Sequence, residues 1–91
     1  MSEETQILIT EECEFIKNFL IEKNKKYGDS ALNPMRIFSR ASTVEQINVR
    51  IDDKLSRIMR GNHSQEDEDV DLDLIGYLLL KRVCLRKNKK L

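Results

Sequence analysis

Residues 42 to 61 constrain the fold most. Val44, Ile47, Ile51, Leu55 and Ile58 recur at the three- and four-residue spacing of one helical face. Ser42-Thr43-Val44-Glu45 places Ser three residues ahead of Glu, the pattern of a capping box. Gly61 follows the last apolar residue and supplies a stop. A segment with a start, a stripe and a stop is an amphipathic helix that must bury one face against something else. Arg50, Asp53, Lys54 and Arg57 form an adjoining polar stripe, with Lys54 nearest the apolar face. An ion-bearing edge therefore lies beside the core.

Two further helices are expected around it. The first is read from Thr10, a good N-cap followed by Glu11, Glu12 and Glu14, acids that suit the positive end of a helix dipole. Ile9, Cys13, Ile16, Phe19 and Leu20 keep helical spacing, Lys23, Lys25 and Lys26 suit a C-terminal end, and Gly28 is the stop. Residues 28 to 42 form a connection with a turn at Asn33-Pro34. Its apolar Leu32, Met35, Ile37 and Phe38 predict a loop packed against the domain, with one short helical turn. Residues 61 to 69 are a polar, acidic connection in which His63 reads as a solvated loop residue. The third helix spans about Glu68 to Arg86. Leu74 to Leu80 is apolar almost all round, which predicts a central, buried helix. The basic tail, 87 to 91, is expected to fray.

The whole is one all-α domain over 1–91, a small bundle of three main helices with its core at about 9–86 and completed by self-association. Ninety-one residues bury a small share of their surface. Sixteen basic and sixteen acidic residues cancel, so no global field draws the chain to nucleic acid or an anionic membrane. The longest apolar run, Leu78 to Leu80, cannot span a bilayer. Cys13 and Cys84 are too few for a disulfide framework and read as reduced packing residues. With no signal-peptide pattern at the start, the expected compartment is the cytoplasm.

One residue exceeds what a core helix needs. Asp73 lies between Leu72 and Leu74, and Asp69, Asp73, Gly76 and Tyr77 share about 100° of arc. A carboxylate on an apolar helix must be paired, hydrogen-bonded or metal-bound. Two readings stand. In one, Asp69 and Asp73 pair with Arg50, Lys54 or Arg57 across two packed helices. In the other, Asp53, Glu68, Asp69 and Asp73 converge on a divalent ion, with the cations taking a phosphate. Oxygen ligands of this kind suit Mg²⁺, which bridges to substrate phosphates. There is no nucleophile motif and no Gly-rich phosphate loop, and the acids from Asp67 to Asp73 lack the Gly and Glu of a calcium loop.

Three segments stand in a recognisable order: Lys26-Tyr27-Gly28-Asp29-Ser30, Arg50-Ile51-Asp52-Asp53-Lys54-Leu55-Ser56-Arg57-Ile58, and Glu68-Asp69-Val70-Asp71-Leu72-Asp73-Leu74-Ile75-Gly76-Tyr77. Together, over roughly residues 15 to 83, they resemble the small helical nucleotide-modification-associated domains of phages. Those domains look similar to MazG-like all-α nucleotide pyrophosphatases. The resemblance implies a helical, often oligomeric domain in a host cytoplasm, with Mg²⁺ and a nucleotide bound between helices. On that basis Asp53, Glu68, Asp69 and Asp73 are candidate metal ligands. Lys26, Tyr27, Arg50, Lys54, Arg57 and Tyr77 are candidate nucleotide or phosphate contacts. MazG-like enzymes carry Glu-x-x-Glu on an early helix; Glu11-x-x-Glu14 has that spacing but is read at the helix start. Two functions follow: Mg²⁺-dependent pyrophosphohydrolysis of a nucleoside triphosphate, or a non-enzymatic phage accessory protein that binds a host protein or sequesters a nucleotide signal.

Overall fold

The computed structural model describes residues 2–61 and 69–89, and all their regular structure is helical. The expected all-α bundle is what forms: α1 is Glu3–Tyr27, α2 is Thr43–Arg60 and α3 is Val70–Asn88. His63 and Glu68 lie outside the described residues.

α1 begins two turns before the expected start. Ser2 is the cap, its Oγ accepting from the Thr5 amide at 3.1 Å, and Glu3 and Glu4 fill the first turn. Thr10, read as the cap, instead turns its hydroxyl back onto the Gln6 carbonyl at 3.0 Å, the bond a mid-helix threonine makes. The stop is as expected. Gly28 adopts φ 65°, ψ 44°, and its amide donates to the Asn24 carbonyl at 2.9 Å. Asp29 is also left-handed, at φ 60°, a conformation Asp tolerates better than most residues. Its carboxylate accepts from Asn24 and Asn33, both at 2.8 Å. The Leu32 and Asn33 amides donate to its carbonyl, which gives the short helical turn expected in this connection.

The rest of that connection departs from expectation. Leu32 packs against the core, but Met35, Ile37 and Phe38 are 80%, 72% and 95% exposed. The Arg36 guanidinium explains the geometry. It donates to the Ala41 carbonyl and, at 2.9 Å, to the Thr43 hydroxyl. That clasp closes the loop onto the start of α2 and leaves Ile37 and Phe38 at its outer tip.

α2 has the predicted limits. Ser42 Oγ accepts from the Glu45 amide at 3.1 Å, and Gly61 caps the end at φ 75°. α3 starts later than expected because Asp69 is its cap, accepting from the Leu72 amide at 2.9 Å. It also runs past Arg86 through Asn88, so the first part of the basic tail is helical.

Ile47, Ile51 and Cys84 form the core, with Leu32, Val44, Leu74 and Tyr77 packed around them. α2 and α3 are thus the main packed pair. α1 leans more sparsely on α3, and the backbones of α1 and α2 do not approach. Gly76 lies at the α1–α3 approach, where a Cβ would meet Leu20 Cδ2 at 3.1 Å. α3 is central, as expected, but less buried than expected, since Ile75, Leu78, Leu79 and Leu85 remain exposed. No residue of α1 is buried, and Cys13, expected as a packing residue, is exposed. The radius of gyration, 15.2 Å, exceeds the roughly 12 Å of a compact domain this long, which reflects the splayed α1. No helix is long and apolar enough to cross a membrane among the described residues.

Candidate functional site

The sparse docking of α1 leaves a cleft of about 340 Å³ between its C-terminal half, the turn at 29–31 and the N-terminal half of α3. Phe19, Lys23 and Tyr27, spaced four residues apart, bring one face of α1 to it, and Asp73, Tyr77 and Leu80 bring one face of α3. Gly76 and Leu20 lie between, where the two helices come closest. A second hollow of about 360 Å³ adjoins the first. It shares Ser30, Ala31 and Tyr77 with the cleft and adds Gln46 and Arg50 from α2. Tyr77 therefore stands between two hollows, one opening toward α1 and one toward α2.

Asp73 has a partner from α2: Lys54 Nζ lies 3.3 Å from its Oδ2. The two side chains are 11% and 24% exposed, which makes this the most buried ion pair among the described residues. Its location explains that. Lys54 sits beside the apolar face of α2, and Asp73 projects from the face of α3 that meets it. A carboxylate so placed loses part of its hydration, and the cation beside it offsets that cost.

The other candidates disperse. Asp53 pairs with Arg57 one turn along α2 at 3.5 Å, with both side chains substantially exposed. Asp69 is occupied at the cap of α3. No three His, Cys, Asp or Glu residues lie close enough together to hold a metal ion among the described residues. Asp53, Asp69 and Asp73 are therefore not gathered as one ion cage, while Asp73 alone among them lines the cleft. Lys26 does not line the cleft; its ammonium lies 5.4 Å from the centre of the Tyr27 ring. Tyr27 and Tyr77 line the cleft, and Arg50 lines the adjoining hollow. Glu11 and Glu14 lie mid-helix rather than at a helix start, both exposed, and Glu14 pairs with Lys17 at 3.0 Å.

Phe19, Lys23 and Asp29 line the cleft although the sequence reading gave Phe19 to the core and Lys23 to a helix end. The spacing of Phe19, Lys23 and Tyr27 carried the signal, since i, i+4 and i+8 share a face. Lys23 Nζ lies 4.7 Å from the centre of the Phe19 ring, an amine held over an aromatic wall. Three aromatic rings, one cation (Lys23), two carboxylates (Asp29 and Asp73) and a second hollow with Arg50 reached past Tyr77 can hold a flat group with an anionic group extending toward Arg50. Comparison with family models, curated proteins and solved structures finds no match to this chain.

Proposed function

We propose that this protein binds a nucleotide, or a similarly flat ligand bearing phosphate, in the cleft between α1 and α3. The observation that carries the proposal is Asp73, held by Lys54 of α2, lining a cleft together with Phe19, Tyr27 and Tyr77. Aromatic faces stack on a base without demanding its identity. Lys23 on the cleft side and Arg50 on the far side of Tyr77 supply cations for phosphate, Arg50 with a fork that suits its oxygens. The volume suits a small ligand. Mg²⁺ would arrive with the phosphates and use Asp73 as its protein carboxylate, consistent with a cation that keeps most of its waters.

Binding without cleavage, as in a small phage accessory protein, is the first reading, because Asp53 is paired with Arg57 and Asp69 caps α3. Pyrophosphohydrolysis needs acids gathered at the phosphates. The test has two readouts. Thermal shift against a panel of nucleotides, with and without Mg²⁺, should show stabilisation by mass action, roughly 2–3 kcal/mol at a hundredfold excess over Kd. Tyr77→Ala and Arg50→Ala should each weaken that shift. Pyrophosphate release under the same conditions reports turnover. If no nucleotide or inorganic phosphate moves the melting temperature, the cleft is not a phosphate site, and the ion pair serves packing alone.

A further inference from the structure

We infer that α1 is an antiparallel self-association surface whose occupant is α1 of a second copy of this chain. Every residue from Ser2 to Phe15 is exposed, so more than half of a 25-residue helix has no buried side chain within the protomer. A thirteen-residue helical segment alone in water is marginal at best. Yet Leu8 and Phe15 stand in this segment at 54% and 55% exposure. Leu8, Glu12, Phe15, Ile16, Phe19 and Lys23 fall within about 100° of arc, an apolar stripe with one acid and one base inside it.

Charge sets the direction. Between residues 3 and 14 α1 carries five glutamates and no base; between 15 and 27 it carries four lysines and one glutamate. A parallel pair would oppose like charges along its whole length. An antiparallel pair lays each acidic half on a basic half, and a two-fold axis makes every contact occur twice. Centring that axis between Lys17 and Asn18 sets Glu12 against Lys23 of the second copy, Leu8 against Tyr27 and Ile16 against Phe19. Acid meets base and apolar meets apolar in one register. The receiving surface is already shaped: Phe15, Phe19, Lys23 and Lys26 line a shallow groove of about 450 Å³ along the C-terminal half of α1, with the two Phe rings stacked at 6.2 Å. Leu8 of the second copy reaches it.

This surface shares Phe19, Lys23 and Tyr27 with the ligand cleft, so its test uses the intact chain without nucleotide. Sedimentation equilibrium should give twice 10.7 kDa at micromolar concentration, and dilution should reduce helicity as α1 residues 3–15 lose their support. Glu12→Lys should raise the dimer Kd roughly tenfold, since each of two exposed ion pairs becomes a repulsion. Glu12→Lys combined with Lys23→Glu should restore it. Leu8→Glu, on an exposed position, should leave a folded monomer. A single 10.7 kDa species at every concentration overturns the inference. So does a dimer whose Kd ignores Glu12→Lys, or one that the double reversal fails to rescue, since a parallel pair would tolerate both.

Discussion

Lys54 and Asp73 concentrate in one contact the competition between stability and ligand binding. With side chains 11% and 24% exposed, removing the Asp73 charge takes one partner from a poorly hydrated Lys54. Asp73→Asn should therefore destabilise the protein by roughly 2–3 kcal/mol in a denaturant titration, less than the loss for a fully buried pair because Asp73 keeps some water. A swapped pair, Lys54→Asp with Asp73→Lys, separates the roles. It should recover most of that stability, yet it places a cation where a Mg²⁺-bound phosphate expects a carboxylate, so the nucleotide-dependent thermal shift should stay lost. Recovery of both would mean that the residues only hold α2 to α3. Asp29 works at the same scale with a different task. Its left-handed backbone turns the chain after Gly28, and its carboxylate accepts from Asn24 before the turn and Asn33 after it. Lys87 of α3 approaches the same carboxylate at 4.0 Å, which links the turn to the far end of the central helix.

Among the elements, α2 and α3 share the core and α1 stands apart from it. Ile51→Ala should cost roughly 2–4 kcal/mol, since Ile51 is buried at the α2–α3 seam, whereas Leu55→Ala, one turn further along, should cost under about 1 kcal/mol because Leu55 is largely exposed. Chemical denaturation of the two variants checks the contrast, and similar losses would mean that the apolar stripe is covered along its full length. The same division explains what could be read from the residues alone. α2 was legible at both ends because Ser42, Glu45 and Gly61 act within a few residues of themselves. The start of α1 was not, because Thr10 carries a cap's side chain but spends it on Gln6, while Ser2 makes the cap. The pairing of Asp73 with a cation of α2 followed from helical faces, and so did Tyr77 beside it. That Phe19 and Lys23 complete the cleft depended on how α1 crosses α3 at Gly76, a close approach no spacing rule specifies. The outward turn of Ile37 and Phe38 likewise depends on the clasp from Arg36 to Ala41 and Thr43.

At the scale of the molecule, the chain is a helical hairpin with a long strut laid across it, and the joint between them is the loop that ends at the Arg36 clasp. That loop carries the most exposed aromatic side chain of the described residues, Phe38 at 95%. The remaining aromatics, Phe15, Phe19, Tyr27 and Tyr77, all sit within helices, where a protease cannot draw the backbone into an extended strand. Residues 62–68, between α2 and α3, contain no aromatic or leucine side chain. Brief digestion with chymotrypsin should therefore nick the protein first between Phe38 and Ser39, giving a fragment with α1 and a fragment with α2 and α3. Mass spectrometry of the earliest products checks this, and early cutting inside α3 would show that the hairpin opens as readily as the joint. One scission at an exposed phenylalanine would thus divide the protein along its own architectural seam, parting both walls of the cleft while leaving the Ile47–Ile51–Cys84 core in one piece.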